Sequence, residues 1–309
     1  FYAKIGKKKI LNINDCMVDS TQQAKIIRKI VDDVDILLTQ FGYASWVGDP
    51  EDVELRKNAS VEKLKRIEIQ AKVFQPKFII PFASFVRFCH KDNYYMNDQM
   101  NKIEDVENFI ERNTDSSPIV LYPGDEWSGE ETIDNSIPIK KYQIDSQKKL
   151  ELSTASDIIE YENLKDSALL YIEDLKKRNN WNFVKFLHKI KFFKTTNIFL
   201  KDLNSSFSFD LINGLKKSKI NESNVDIITD SDSLSFVFAF DYGMDTLFVN
   251  ARFRTSGGKV MNFFRLFLIG TMNNNGRTFP LGVLGFLFHE KSMWKTKILE
   301  IILGKYALK

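Results

Sequence analysis

Apolar and polar positions follow two rhythms along this chain, and the change between them divides it. From Ile10 to Asn14 a short apolar run predicts a buried strand ending at Asp15. Thr21 to Val31 then places Ala24, Ile27, Ile30 and Val31 three to four residues apart, the spacing of one helix face. Val34 to Thr39 is continuously apolar, as expected of a strand with helices on both faces of its sheet. A helix from Val61 to Phe74, a strand from Phe78 to Pro81, a helix from Ile103 to Arg112 and a strand from Ile119 to Tyr122 continue the alternation. Upstream, Tyr2 to Leu11 reads as two short strands around a turn at Gly6. A chain opening in mid-hairpin is expected to be a fragment.

After Pro123 the rhythm changes. Asp125 to Ser156 is polar, with a marginal strand expected near Ile137 to Ile144. Helical spacing returns over Ser156 to Lys177 and Trp181 to Lys189. Ser233 to Asp241 (Leu234, Phe236, Phe238, Phe240) and Asp245 to Phe253 (Leu247, Val249, Ala251, Phe253) alternate apolar with polar residues, which predicts an antiparallel pair. Lys291 to Lys309 predicts an amphipathic basic helix packed on a core. The fold class is therefore α/β over residues 1–140, followed by an α+β domain over 141–309.

Composition narrows the function classes. In 309 residues, 44 basic and 41 acidic side chains are well mixed, so no basic face tracks a nucleic acid. No apolar run reaches the roughly 20 residues of a membrane-spanning helix. Cys16 and Cys89, the only cysteines, fall in apolar strand-like runs and read as buried free thiols. A lone pair is no disulfide framework, and a reducing, cytoplasmic setting is the simpler expectation.

Candidate chemistry collects at strand ends. Asp15 reads either as a helix cap or as a metal-binding carboxylate held by a strand. His90 reads either as a satisfied structural imidazole or as a ligand. Gln40, Tyr43 and Trp46, in an aromatic-rich loop, read either as substrate contacts or as packing, and Tyr94 and Asn97 divide the same way. His188 and His289 read as surface or packing histidines, and Gly257–Gly258 as a turn rather than a phosphate loop.

Four ordered blocks carry a resemblance: Lys9-Ile-Leu-Asn-Ile-Asn-Asp-Cys, Asp35-Ile-Leu-Leu-Thr-Gln-Phe-Gly-Tyr-Ala, Gln75-Pro-Lys-Phe-Ile-Ile-Pro-Phe-Ala-Ser-Phe with His90, and Leu121-Tyr-Pro-Gly-Asp. Together, over about residues 1 to 127, they resemble the C-terminal half of metallo-β-lactamase-fold proteins, closest to the CMP-N-acetylneuraminate hydroxylase-like branch. Residues 245–253 look like the accessory region of bacterial members. The resemblance implies half of an αββα sandwich, with Asp15 contacting or bridging metals and His90 the last histidine ligand. The family's His-x-His-x-Asp-His motif and one further histidine are not in this sequence. For an intact parent it implies two divalent cations, zinc before iron or manganese, that activate a water against a phosphodiester, ester or amide. A small-molecule substrate, such as a nucleotide sugar or phosphodiester, is the expected partner. Two other readings stand beside this one: an oxygenase component fed by a Rieske centre, and a non-catalytic binding or scaffold protein.

Overall fold

The computed structural model describes residues 1–14, 16, 18–154, 156–256 and 260–282. The chain divides into two compact units, the first Phe1–Cys89 with Tyr95–Glu151, the second His90–Tyr94 with residues from Leu152 onward. The expected helix at Lys291 to Lys309 lies outside the described residues, as do Asp15, Gly257–Gly258 and His289.

Unit 1 is a five-stranded sheet in sequence order: β1 (Tyr2–Ile5), β2 (Lys8–Asn12), β3 (Ile36–Thr39), β4 (Phe78–Pro81) and β5 (Ser117–Pro118). Strands β1 and β2 form the expected hairpin about Gly6, whose φ of 61° suits glycine. From β2 onward every pairing is parallel. The crossovers are helical: α1 (Thr21–Arg28), then α2 (Val53–Phe74), then α3 (Ile103–Asn113), with α4 (Ser136–Gln147) following β5. Helix α1 starts in a capping box, Ser20 accepting from the Gln23 N–H while Gln23 accepts from the Ser20 N–H.

The helices do not cover both faces of this sheet. Residues of all four pack with Leu11, Leu37, Ile79 and Val120 in one core. The other face, with Ile36, Phe78 and Ile119, is met by Trp127 and Ile133 from the segment after β5. The cause is topological: each parallel strand is added beside the last, so crossovers of one hand all fall on one side. The strand expected at Ile119 to Tyr122 is replaced by the two-residue β5 just before it, because side chains take over the ladder beyond Pro118. The Val120 N–H donates to Asn135 Oδ1 (2.9 Å) and the Tyr122 N–H to Asp125 Oδ2 (2.9 Å). The strand expected at Ile137 to Ile144 is helix α4, with Ile139 buried and Ile137 and Ile144 outside. Its Pro138 lies in the first turn, where a missing N–H costs nothing.

Unit 2 opens with α5 (Tyr161–Arg178) and α6 (Trp181–Lys189). Strands β6 (Thr196–Leu200), β7 (Ser205–Asp210), β8 (Gly214–Ser218), β9 (Ile227–Thr229) and β10 (Arg254–Thr255) make a mixed sheet in the order β10-β9-β6-β7-β8. Only β6 and β9 are parallel. The antiparallel pair expected at Ser233–Asp241 and Asp245–Phe253 is instead two helices, α7 (Ser231–Ala239) and α8 (Gly243–Asn250), with α9 (Val260–Asn274) after β10. The same residues satisfy both periods. In α7, Leu234, Val237 and Phe238 are buried at helical spacing, while Phe236 and Phe240 stack at 4.3 Å. The helices meet at Gly243, where a Cβ would stand 2.5 Å from the Phe236 carbonyl oxygen.

Candidate functional site

The strand ends of unit 1 are filled by interlocking loops. Thr39 Oγ1, closing β3, donates to Gln70 Oε1 (2.7 Å) on α2. Past it, the N–H groups of Phe41 and Gly42 both donate to Ser84 Oγ, each at 3.0 Å, tying the loop after β3 to the loop after β4. Tyr43 is 3% exposed and donates to the Met96 carbonyl (2.6 Å); burial pushes its phenol up. Trp46 is 6% exposed. Both side chains are thus buried among the loops. Gln40 is half-buried and Tyr94 is exposed. Asn97 brackets Phe88, accepting its N–H and donating to its carbonyl (2.9 and 2.8 Å).

One buried guanidinium fixes the far side of this loop. Arg56 donates through Nε and Nη2 to the two oxygens of Asp98, at 2.8 Å each. It also donates to the Asp49 and Pro50 carbonyls (2.6 and 2.9 Å) and lies 5.0 Å over the Tyr95 ring. Full burial works against its charge, but Asp98 more than restores it, so this arginine stays protonated. Cys16 and Cys89 are exposed, not buried as expected, since each lies in a loop beyond its strand. His188 packs with Nδ1 3.0 Å from the Phe193 carbonyl oxygen.

His90 belongs to unit 2, where it joins a cluster that sequence reasoning missed. The parallel strands β6 and β9 end side by side in Leu200-Lys201-Asp202 and Thr229-Asp230-Ser231. Lys201 Nζ stands 2.7 Å from Asp92 Oδ2 and 3.4 Å from Asp230 Oδ1. Arg252 Nη2 lies 3.7 Å from Asp230 Oδ2 and donates to Ser156 Oγ at 2.6 Å; its Nη1 is 3.6 Å from Asp232. Asp202 accepts the Ser231 N–H (3.0 Å) and hydroxyl at the start of α7. The segment His90–Tyr94 is pinned here: the Lys91 N–H donates to the Ser153 carbonyl (3.1 Å) and Asn93 Nδ2 to the Asn250 carbonyl (2.7 Å). The legible signal was a charged residue directly after each of two apolar strands.

The two carboxyls respond differently to one ammonium. Burial pushes Asp230 up, and Asp92 and Asp202 add to that, so the opposing pull of Lys201 is not enough. Burial works against Asp92 as well, but Lys201 and then His90 hold it below the usual range. His90 is pulled down, first by burial and then by Arg252, against Asp92 and Asp230. Its Nδ1 accepts the Asp92 N–H at 3.2 Å. A neutral imidazole so placed carries its proton on Nε2, which is buried and has no hydrogen-bond partner among the described residues.

This donor set does not fit a divalent cation. Lys201 occupies the position between the two carboxylates, Arg252 adds a second positive charge, and His90 has its free lone pair turned to a backbone N–H rather than to a metal. Among the described residues, no group of three or more His, Cys, Asp or Glu side chains is placed to hold a metal, and no helix is long and apolar enough to cross a membrane. What the cluster can do is bury charge and share a proton between two carboxyls. In comparisons with known proteins, no family model, no curated protein and no solved structure matches this chain.

Proposed function

We propose that unit 1 is one layer of a metal-dependent hydrolase of the metallo-β-lactamase type, acting on a phosphodiester, ester or amide. The observation that carries this reading is the helix-free face of the unit 1 sheet. There Ile10, Leu38, Ile80 and Leu121 form a half-buried apolar row beside Ile36, Phe78 and Ile119, met among packed hydrophobics by Trp127 and Ile133. An αββα sandwich requires such a face, because its second sheet covers it while helices take the other side. The all-parallel order after the β1–β2 hairpin, with strand-end loops tied together by Ser84, further supports the reading.

In this reading Asp15 remains the one metal ligand from these residues, and His90 serves unit 2. The histidines of the His-x-His-x-Asp-His motif are then supplied by residues other than these 309. Two measurements test it. The 309-residue chain alone is expected to retain no stoichiometric zinc after dialysis and to leave bis(p-nitrophenyl) phosphate intact. A polypeptide also carrying the motif is expected to hold metal and hydrolyse it, and Asp15→Ala is expected to reduce both without changing its circular dichroism. Metal content and hydrolysis that survive Asp15→Ala unchanged overturn the Asp15 assignment, and a motif-bearing polypeptide that neither holds metal nor hydrolyses the ester overturns the hydrolase reading in favour of a binding or scaffold role.

A further inference from the structure

Unit 2 contains a groove of about 670 Å³ lined by α5, the end of α7 and α9. Two of its apolar side chains, Leu170 on α5 and Phe240 just past α7, are 67% and 56% exposed. Large apolar groups left open beside a cavity are the mark of a ligand surface rather than of a core. Phe240 is held in place by its stack on Phe236. Deeper in the groove, the Tyr171 ring packs against Phe267 at 5.4 Å and Phe238 at 6.1 Å. Its position depends on Gly270 of α9, where a Cβ would lie 2.7 Å from the Tyr171 hydroxyl. Burial pushes the Tyr171 phenol up, so the hydroxyl stays a neutral donor.

The other end of the groove is charged. Arg178 pairs closely with Asp174 one turn earlier and lies 3.6 Å from Asp241. Two carboxylates against one guanidinium leave that end net negative, and the Asp241 side chain is 70% exposed. An apolar body of modest size therefore has surfaces to lie on, and a positive head has a carboxylate to meet.

We propose that this groove binds small amphipathic cations, with an aromatic or aliphatic body against Leu170, Phe238 and Phe240 and an ammonium head at Asp241. The site is independent of the hydrolase reading of unit 1.

The test uses the full chain and three isosteric probes: 4-phenylbutylamine, 4-phenylbutanol and 4-phenylbutyrate, titrated by calorimetry. The amine is expected to bind about fivefold tighter than the alcohol, the size of one partly exposed ion pair, and the acid weakest. Asp241→Asn is expected to abolish the preference for the amine while leaving the alcohol's affinity unchanged. Gly270→Leu fills the groove and is expected to abolish binding of all three. Because that change crowds Tyr171, Phe240→Ala provides a second variant, expected to weaken all three probes alike. Absence of amine binding, equal affinity for amine and acid, or an amine preference that survives Asp241→Asn overturns the proposal.

Discussion

The two units bury charge in opposite ways. Unit 1 isolates a single guanidinium, Arg56, and gives it a bidentate carboxylate, two carbonyls and an aromatic ring. Unit 2 gathers Asp92, Asp230, Lys201, Arg252 and His90 where the central strands β6 and β9 end and lets them share partners. The sheets explain the difference. In unit 1 the strand-end loops interlock pairwise, so Arg56 is satisfied by one carboxylate and two carbonyls that no other cation shares. In unit 2 the parallel pair β6 and β9 ends at one place, and β10, antiparallel to β9, begins there, so three chain segments bring their charges together. A saturated arginine ignores pH, whereas a shared network with an imidazole and a raised carboxyl responds to it.

The sharpest way to break the contrast is Arg56→Met, which strands Asp98 and two carbonyls. It is expected to cost about 3 kcal/mol in denaturant unfolding, the low end for breaking a buried pair, because the Asp98 carboxylate left behind is 35% exposed and reaches water. Lys201→Met is expected to cost less, about 2 kcal/mol, because the ammonium is one-third exposed and Arg252 remains beside Asp230. Its effect should fall on hydrogen exchange of the amides at 90–94 and 230–234, and unchanged protection there would refute the network as their anchor.

Acidification separates the units next. His90 is held below its ordinary range, so the unfolded chain takes up its proton more readily. Its contribution is present above about pH 6.5 and is lost as pH falls below that value. Asp92, also lowered, acts in the same direction at more acid pH, while Asp230, raised, opposes both. From pH 7.5 to 5.5, protection factors in unit 2, corrected for the intrinsic exchange rate at each pH, are expected to fall while those of the Arg56 loop hold, and His90→Asn should flatten that response. The smallest effect is expected from Ser20→Ala, which removes half of the α1 capping box at a cost of about 1 kcal/mol, readable as a shifted unfolding midpoint with the same slope.

Unit 1 was largely legible in the sequence, because long amphipathic stretches between short apolar runs leave little ambiguity. Helix α3 and strand β4 fall where the spacing places them. Unit 2 was less so. Leu234, Phe236, Phe238 and Phe240 fit a strand period, yet Leu234, Val237 and Phe238 fit a helix, and Asp202 at the α7 start favours the helix from a distance no local pattern reaches. The aromatic loop after β3 was hard to place for a related reason: the burial of Tyr43 and Trp46 depends on residues distant in sequence, such as Met96. His90 misled most. Its company in sequence is the strand β4, but its company in space is Lys201, Asp230 and Arg252, more than a hundred residues downstream.

That separation sets an order of events during synthesis. Residues 90–94 leave the ribosome amid the chain of unit 1, long before the strands that receive them. Unit 1 has its β-strands and first three helices complete while this pentapeptide still has no sheet to join, and Lys201, the cation that pairs with its Asp92, has not yet been made. A chain started at Leu152 lacks the Asp92 that pairs with Lys201 and the Asn93 that caps the Asn250 carbonyl, so it is expected to unfold at lower denaturant than the same unit in the full chain.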